Sequence, residues 1–130
     1  MKESIRALLN SIPEEKRQLR GREAIAYLAT LMRRIPREDY DHNNYFTTAV
    51  SSDGDLCGFI RCGTAACAAG WGAAVFEGSP DPWHDRSNIA GFYNIEYKDS
   101  ESIFSTTAYH TPPSPRTVEK RIRAVLKGYK

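Results

Sequence analysis

The sequence predicts a mainly α fold (α+β, with a minor two- or three-stranded β element). Three observations lead to this prediction. Apolar residues recur with helical spacing in three segments, small residues fill positions 64–76, and period-two alternation is confined to a short segment. A length of 130 residues suits one domain with one core. We therefore expect residues 1–130 to form a single small domain around a central helix of small residues.

The N-terminal third is predicted to hold three helices. An apolar stripe runs from Ile5 to Ile12 and is interrupted by Pro13, which favours a first turn over a helix interior. Ser11 ahead of Pro13, Glu14 and Glu15 indicates a new helix start, and this second short helix is expected to run to about Arg20. The clearest stripe follows Gly21 and occupies residues 24–35, so it predicts a long amphipathic helix.

Two segments indicate β structure. Residues 38–56 are rich in Asp, Asn, Ser and Thr, which is typical of a loop or a short hairpin around Tyr45–Val50. Residues 93–98 read Tyr-Asn-Ile-Glu-Tyr-Lys and alternate apolar with polar side chains, which predicts a short half-exposed strand.

The C-terminal part is predicted to return to helix. Asp99 or Ser100 is expected to cap a short helix that places Ile103 and Phe104 in the core. After a proline-rich stretch, a last helix is expected, with an apolar stripe between Val118 and Leu126. Its expected cap, first helical residue and stop are Ser114, Pro115 and Gly128.

The segment from Cys62 to Trp71 is the centre of the predicted fold. Thr64–Phe76 reads TAACAAGWGAAVF, a composition with high helix propensity that lets another backbone approach closely. In the structural interpretation, which we favour, its residues have distinct roles: a tight turn at Gly63, a cap at Thr64, a crossing point at Gly70 and a core anchor at Trp71.

Composition excludes several classes of protein. Apolar residues make up 41% and charged residues 26%, as in globular domains. No stretch approaches the ~20 apolar residues that span a bilayer, and the N-terminus lacks a signal core, so we expect a cytoplasmic protein without a membrane partner. Net charge is +3 in residues 1–40, −6 in residues 41–110 and +5 in residues 111–130. The basic ends could meet the acidic middle or an acidic partner.

Cysteine chemistry is possible at three closely spaced positions. Cys57, Cys62 and Cys67 could bind a metal, but their spacing does not match a zinc knuckle, so we expect no metal and no cofactor. Cys62 at a helix start could instead be a nucleophile, with His110 or His84 as its base. Buried structural thiols are the third interpretation, and Cys62 and Cys67 then belong to the structural motif.

Basic and aromatic residues are the candidates for a binding surface. Arginines near the end of the third helix and basic residues of the last helix are typical of solvated faces, but they could also contact a ligand or a nucleic acid. Aromatic residues in loops favour contact surfaces. The candidates are Tyr45, Phe46, Trp83, His84, Arg33, Arg34, Arg37, Lys120, Arg121 and Arg123.

The motif Cys62-Gly63-Thr64-Ala65-Ala66-Cys67-Ala68-Ala69-Gly70 resembles a Cys-Gly-Thr-x-x-Cys-x-x-Gly segment found in a group of small bacteriophage and prophage proteins. Tyr45-Phe46, Phe92 to Phe104 and Thr111 to Leu126 look like counterparts of that group's flanking segments. The resemblance covers about residues 45–126 and does not include Cys57 or the first 40 residues. It implies a viral or mobile-element origin and a protein that binds a host component, including inhibitors of defence systems.

The leading hypothesis is therefore a non-enzymatic, phage-type accessory protein that acts by binding in the host cytoplasm. It would inhibit a host defence protein or sequester a signal nucleotide. A cysteine-dependent enzyme or redox protein using Cys62 or Cys67 is one alternative. A nucleic-acid-binding module that uses the basic C-terminal helix is the other. A monomer and a homodimer fit the sequence equally well.

Overall fold

The computed structural model describes residues 3–35, 68–79, 88–105, 108–109 and 113–129. These residues form helices and turns, and none of them lies in a strand. The mainly helical prediction is thereby confirmed. The helices are α1 Glu3–Asn10, α2 Glu14–Arg17, α3 Gly21–Met32, α4 Ala68–Val75, α5 Ile89–Tyr93, α6 Tyr97–Phe104 and α7 Pro115–Leu126.

The N-terminal helices follow the predicted order. Leu8, Leu9 and Ile12 are buried, and Pro13 stands at the N-cap of α2. The guanidinium of Arg17 donates to the Leu9 carbonyl at 2.6 Å, which satisfies an acceptor that the end of α1 leaves open. Both predicted short helices are present, but the second ends at Arg17, with Gln18 as its C-cap, and not near Arg20.

Helix α3 has the most extensive contacts among the described helices. Its most extensive contact is with α7, and it also packs on α5 and α4. The residues that it buries repeat with helical spacing, and burying each large aliphatic side chain contributes about 1.5–3 kcal/mol. They are Ala24, Ile25, Leu28, Ala29, Leu31 and Met32, and Ile35 is buried just beyond the helix.

The predicted buried helix of small residues is confirmed over Ala68–Val75. Every residue of α4 except Ala73 is buried, including Gly70 and the core anchor Trp71, which is 1% exposed. A helix that is apolar on all sides can be stable only inside a core. A close approach occurs at Gly72, where a Cβ atom would overlap the hydroxyl oxygen of Tyr93.

The strand predicted for residues 93–98 is wrong. Tyr93 ends α5, Asn94 takes the left-handed conformation (φ 55°, ψ 48°), and Tyr97 begins α6. The amides of Asn94 and Ile95 donate to the Gly91 and Ala90 carbonyls at 3.2 and 3.1 Å, the pattern of a Schellman helix end. The alternation therefore spans a helix end, a turn and a helix start. The hairpin predicted around Tyr45–Val50 lies outside the described residues.

The cap predicted for the short helix is also wrong, although its core residues are correct. Glu96 is the N-cap of α6, Asp99 lies in the first turn, and Ser100 is buried within the helix. Ile103 and Phe104 are buried as expected. The hydroxyl of Tyr129 donates to Asp99 and accepts from the Glu96 amide at 2.9 Å, so the chain's last described residue closes the start of this helix.

Helix α7 begins as the sequence predicts. The Thr117 amide donates to the Ser114 hydroxyl at 3.3 Å, and Pro115 is the first helical residue. Val118 and Ile122 are completely buried. None of the described helices has the length and apolar character needed to cross a membrane.

Replacing Gly72 with alanine should destabilise the fold by about 1–3 kcal/mol, the usual cost of overpacking, because the new methyl group meets the Tyr93 hydroxyl. The additional substitution Tyr93→Phe should recover part of that loss, since the nearest remaining atom, Cζ, lies 3.5 Å from the new Cβ. Urea unfolding of the two single variants and the double variant gives their free energies of unfolding, and from these the coupling between positions 72 and 93.

Gly91→Ala is the matched control, because a Cβ there meets no atom within 4 Å and the residue lies inside a helix. It should leave stability unchanged or raise it by about 0.5–1 kcal/mol. If Gly72→Ala and Tyr93→Phe changed the free energy of unfolding additively, that result would contradict the close approach between Gly72 and the Tyr93 hydroxyl.

Candidate functional site

Many candidate residues from the sequence lie outside the described residues. All three cysteines and all three histidines are among them, so the metal, thiol and catalytic-base predictions stay predictions. The undescribed candidates are Tyr45, Phe46, Trp83, His84, Arg37, Cys57, Cys62, Gly63, Thr64, Cys67 and His110. Within the described ranges, no cluster of three acidic side chains is placed to bind a metal ion.

The central feature of the candidate site is a buried carboxylate on α7. Glu119 is 4% exposed, and one of its oxygens, Oε2, accepts hydrogen bonds from the Nε atoms of two arginines. One is Arg33, just after α3, and the other is Arg123, one turn along α7 at 3.0 Å. Arg123 also reaches the Thr30 hydroxyl at 3.5 Å, so this cluster links α3 to α7.

The two arginines keep Glu119 ionised. Burial alone raises the pKa of Glu119, but hydrogen bonds from Arg123 and Arg33, together with their charges, outweigh burial and hold the pKa below its ordinary value. The carboxylate is therefore charged at neutral pH. A buried charge of this kind is stable only while it is paired, since its desolvation is costly.

Four basic side chains surround this carboxylate. On α7, three of them follow the spacing i, i+4, i+7 and so share one face of the helix. With Arg33 and Glu119 they line an open groove of ≈ 290 Å³, in which four positive charges and one negative charge leave a net charge of +3. The basic residues are Arg33, Arg116, Lys120 and Arg123. We call this the cationic groove.

The cationic groove adjoins a second depression of ≈ 220 Å³ near the N-terminus of α7. Arg33 and Arg116 line both spaces, and the walls of the second include Met32, Ile35 and Pro115. A mainly basic space thus borders one whose walls are partly apolar and partly polar. The N-terminal end of α7 adds the partial positive charge of its helix dipole.

Arg116 and Lys120 differ from the two arginines on Glu119. Both are exposed, and neither forms an ion pair or hydrogen bond with any described residue. The positive charge that they bring to the groove is therefore not neutralised within the described part of the chain. Such groups attract anions over a distance of about one Debye length.

Two other basic candidates have intramolecular contacts instead. Arg34 donates to the Ser11 hydroxyl, which joins the end of α3 to the end of α1. Arg121 donates to the Ser102 carbonyl at 2.7 Å and lies 4.4 Å from the centre of the Tyr109 ring. Burial raises the pKa of Tyr109 to about 12, so this phenol stays neutral and donates to the Ile103 carbonyl at 2.9 Å. Neither arginine lines the cationic groove.

Sequence reasoning identified Arg33, Lys120 and Arg123 and missed Arg116 and Glu119. Arg116 could have been found, because it completes the i, i+4, i+7 face with Lys120 and Arg123. Glu119 is the one acidic residue in positions 111–130, but a lone acid on a basic helix is usually solvated. Its burial follows from the packing of α7 on α3, which the sequence does not specify.

The chain matches no protein-family model, no curated protein and no solved structure. The resemblance to phage and prophage proteins therefore stays a prediction that depends on the motif from Cys62 to Gly70. The geometry of the cationic groove is the structural basis for a functional proposal.

Acid should destabilise the wild-type protein partly through Glu119. Because its folded pKa is lowered, the unfolded chain binds the proton first as pH falls below the ordinary value of 4.5, and the stabilisation is lost as pH falls through the folded pKa. Glu119→Gln should therefore lose less stability than wild type between pH 6 and 3, measured by urea unfolding at each pH. If the free energy of unfolding fell equally with pH in the variant and the wild type, that result would contradict a buried ion pair at Glu119.

Proposed function

We propose that this chain is a non-enzymatic accessory protein that acts by binding, and that the cationic groove holds the phosphate groups of a sequestered nucleotide. The observation that carries this proposal is the concentration of Arg33, Arg116, Lys120 and Arg123 around one buried carboxylate. The motif resemblance adds the proposal of a phage or prophage origin, with action in the host cytoplasm.

The chemistry of the groove fits phosphate. Arginine presents several N–H donors in a plane, which matches the oxygens of a phosphate group, and charge-assisted hydrogen bonds are stronger than neutral ones. Arg116 and Lys120 are exposed and have no hydrogen-bond or ion-pair partner among the described residues, so they are the side chains we propose for such bonds. A lysine adds a point charge without a geometric requirement.

The neighbouring depression fits the rest of a nucleotide. It shares Arg33 and Arg116 with the cationic groove, and the largely buried side chains of Met32, Ile35 and Pro115 form the apolar part of its walls. A ligand with a charged end and a flat, partly apolar end could span both spaces. Each volume, ≈ 290 and ≈ 220 Å³, lies below about 300 Å³, the lower end of small-ligand sites, so a nucleotide would have to occupy both spaces.

Sequestration explains the groove better than direct capture of a host defence protein. A stable protein interface buries about 800 Å² on each partner and has an apolar centre. The surface around Arg116 and Lys120 is instead a small, highly charged concavity. Binding of an acidic host protein would use the same charges, and the experiment below separates the two outcomes.

One observation favours nucleic acid as a second candidate. Arg116, Lys120 and Arg123 recur at one-turn spacing in α7 and Lys127 follows at its C-cap, so a row of cations lies along one side of the helix. Arg121, which the sequence analysis included in this surface, is instead held by Ser102. The row of cations thus lacks Arg121, which the sequence alone would include in it.

Lys120→Glu should weaken binding of ATP, our probe nucleotide, by at least about tenfold, because it reverses a charge next to the phosphate position. The matched control is Lys98→Glu, which makes the same charge change at an exposed lysine away from the groove. Isothermal titration of both variants and wild type at one salt concentration measures the effect.

Equal weakening by the two substitutions would contradict a local site, and absence of ATP binding by the wild type would contradict nucleotide sequestration. A single-stranded oligonucleotide that binds more tightly than ATP, with affinity falling steeply as salt increases, would favour the nucleic-acid candidate. A protein without affinity for either probe would leave an acidic host protein as the partner of the groove.

A further inference from the structure

We infer that Glu119 is a positioning residue, which holds Arg33 and Arg123 in the orientation that receives a ligand phosphate. This inference rests on the proposed function of the cationic groove. Both arginines donate from Nε to the same carboxylate oxygen, and both line the groove. Neither contact uses a terminal nitrogen, and because Nη2 of Arg123 donates to the Thr30 hydroxyl at 3.5 Å, the donors left for a ligand are Nη1 of Arg123 and the terminal nitrogens of Arg33.

The number of arginines on this carboxylate exceeds what stability requires. One arginine would neutralise the charge of Glu119, and a buried ion pair adds little net stability because desolvation offsets the attraction. Here a second arginine binds the same oxygen, so the three groups together carry a net charge of +1. Glu119 therefore brings two like charges together that would otherwise repel each other.

The exposure of the two arginines indicates that their far ends are accessible. The Arg33 side chain is 65% exposed and that of Arg123 is 42% exposed, whereas that of Glu119 is 6% exposed. Arg33 has no further hydrogen bond with any described residue, so within that part of the chain both of its terminal nitrogens keep their donors. A buried anchor with accessible donors is the arrangement of a preorganised anion site.

Preorganisation matters because arginine side chains are long. An arginine in solvent loses rotamer freedom when it binds a phosphate, and this loss weakens affinity. When Glu119 holds the Nε end, the ordering takes place during folding and not during binding. The side chains of Lys120 and Arg116 lack such an anchor among the described residues, so the two arginines on Glu119 are the specific element of the site.

Glu119→Gln distinguishes a positioning role from an effect of net charge alone, because the two explanations predict changes of opposite sign in the Kd for ATP. Removing a negative charge from the groove should tighten ATP binding if only the net charge matters. Loss of the anchor should instead raise the Kd for ATP about tenfold, equal to one charge-assisted hydrogen bond. Isothermal titration of ATP measures the Kd, and thermal unfolding shows that each variant is folded.

The control is Glu96→Gln, which removes the charge of an exposed carboxylate that pairs with Lys98 outside the groove. It should leave the Kd for ATP unchanged. A double-mutant cycle of Glu119→Gln with Arg33→Ala gives a further readout that a purely structural role would not change. Because Glu119 acts partly through Arg33, the loss of ATP affinity in the double variant should be smaller than the sum of the two single losses.

Arg33→Lys keeps the charge, removes the Nε donor and lies at an exposed position, so it tests the inference even if Glu119→Gln does not fold. It should also raise the Kd for ATP several-fold. Unchanged or tighter binding by Glu119→Gln or by Arg33→Lys would overturn the inference, and so would additive effects in the cycle. Failure of the wild type to bind ATP would instead refute the proposed function and remove the basis of this inference.

Discussion

The packing of α7 on α3 is the contact on which the rest of the described structure depends. It buries Val118 and Ile122 on one helix and Leu28 and Met32 on the other within a single core. The same contact removes Glu119 from water, and a buried carboxylate must then be paired. Arg33 and Arg123 supply that pairing, and the groove between the helices acquires its cationic walls. Apolar packing and the candidate site are thus two consequences of one helix pair.

Aromatic side chains support α3 from α4, α5 and α6. Phe76 lies 6.4 Å from Tyr27 and 6.3 Å from Tyr93, measured between ring centres, and Tyr93 stacks on Phe104 at 5.8 Å. Edge and stacked contacts of this kind add about 0.5–1.5 kcal/mol each beyond the burial of their surface. Because Gly72 lets Tyr93 approach α4, this cluster joins α4, α5 and α6 to one another and, through Tyr27, to α3.

The sequence predicts those features that depend on local periodicity and on capping. Apolar stripes identify α1, α3 and α7, and Ser114 with Pro115 identifies the start of the last helix. The strand predicted from the period-two alternation at residues 93–98 is wrong, because a Schellman end followed by a new helix exposes and buries side chains in nearly the same order as a strand. Glu119 could not be identified as a site residue, since its burial and its contact with Arg33 depend on how two distant segments pack. Local pattern carries no information on such contacts.

Glu119 binds the Nε–H groups of Arg33 and Arg123 together, and the candidate site depends on this contact. It can be observed in an NMR spectrum of arginine Nε–H groups in the free protein at neutral pH, with assignment by substitution of each arginine. We expect two slowly exchanging Nε–H signals for Arg33 and Arg123, both of which disappear in Glu119→Gln, while the Nε–H of the exposed Arg116 exchanges rapidly with water. Rapid exchange at Arg33 and Arg123, or signals that persist without Glu119, would contradict this contact.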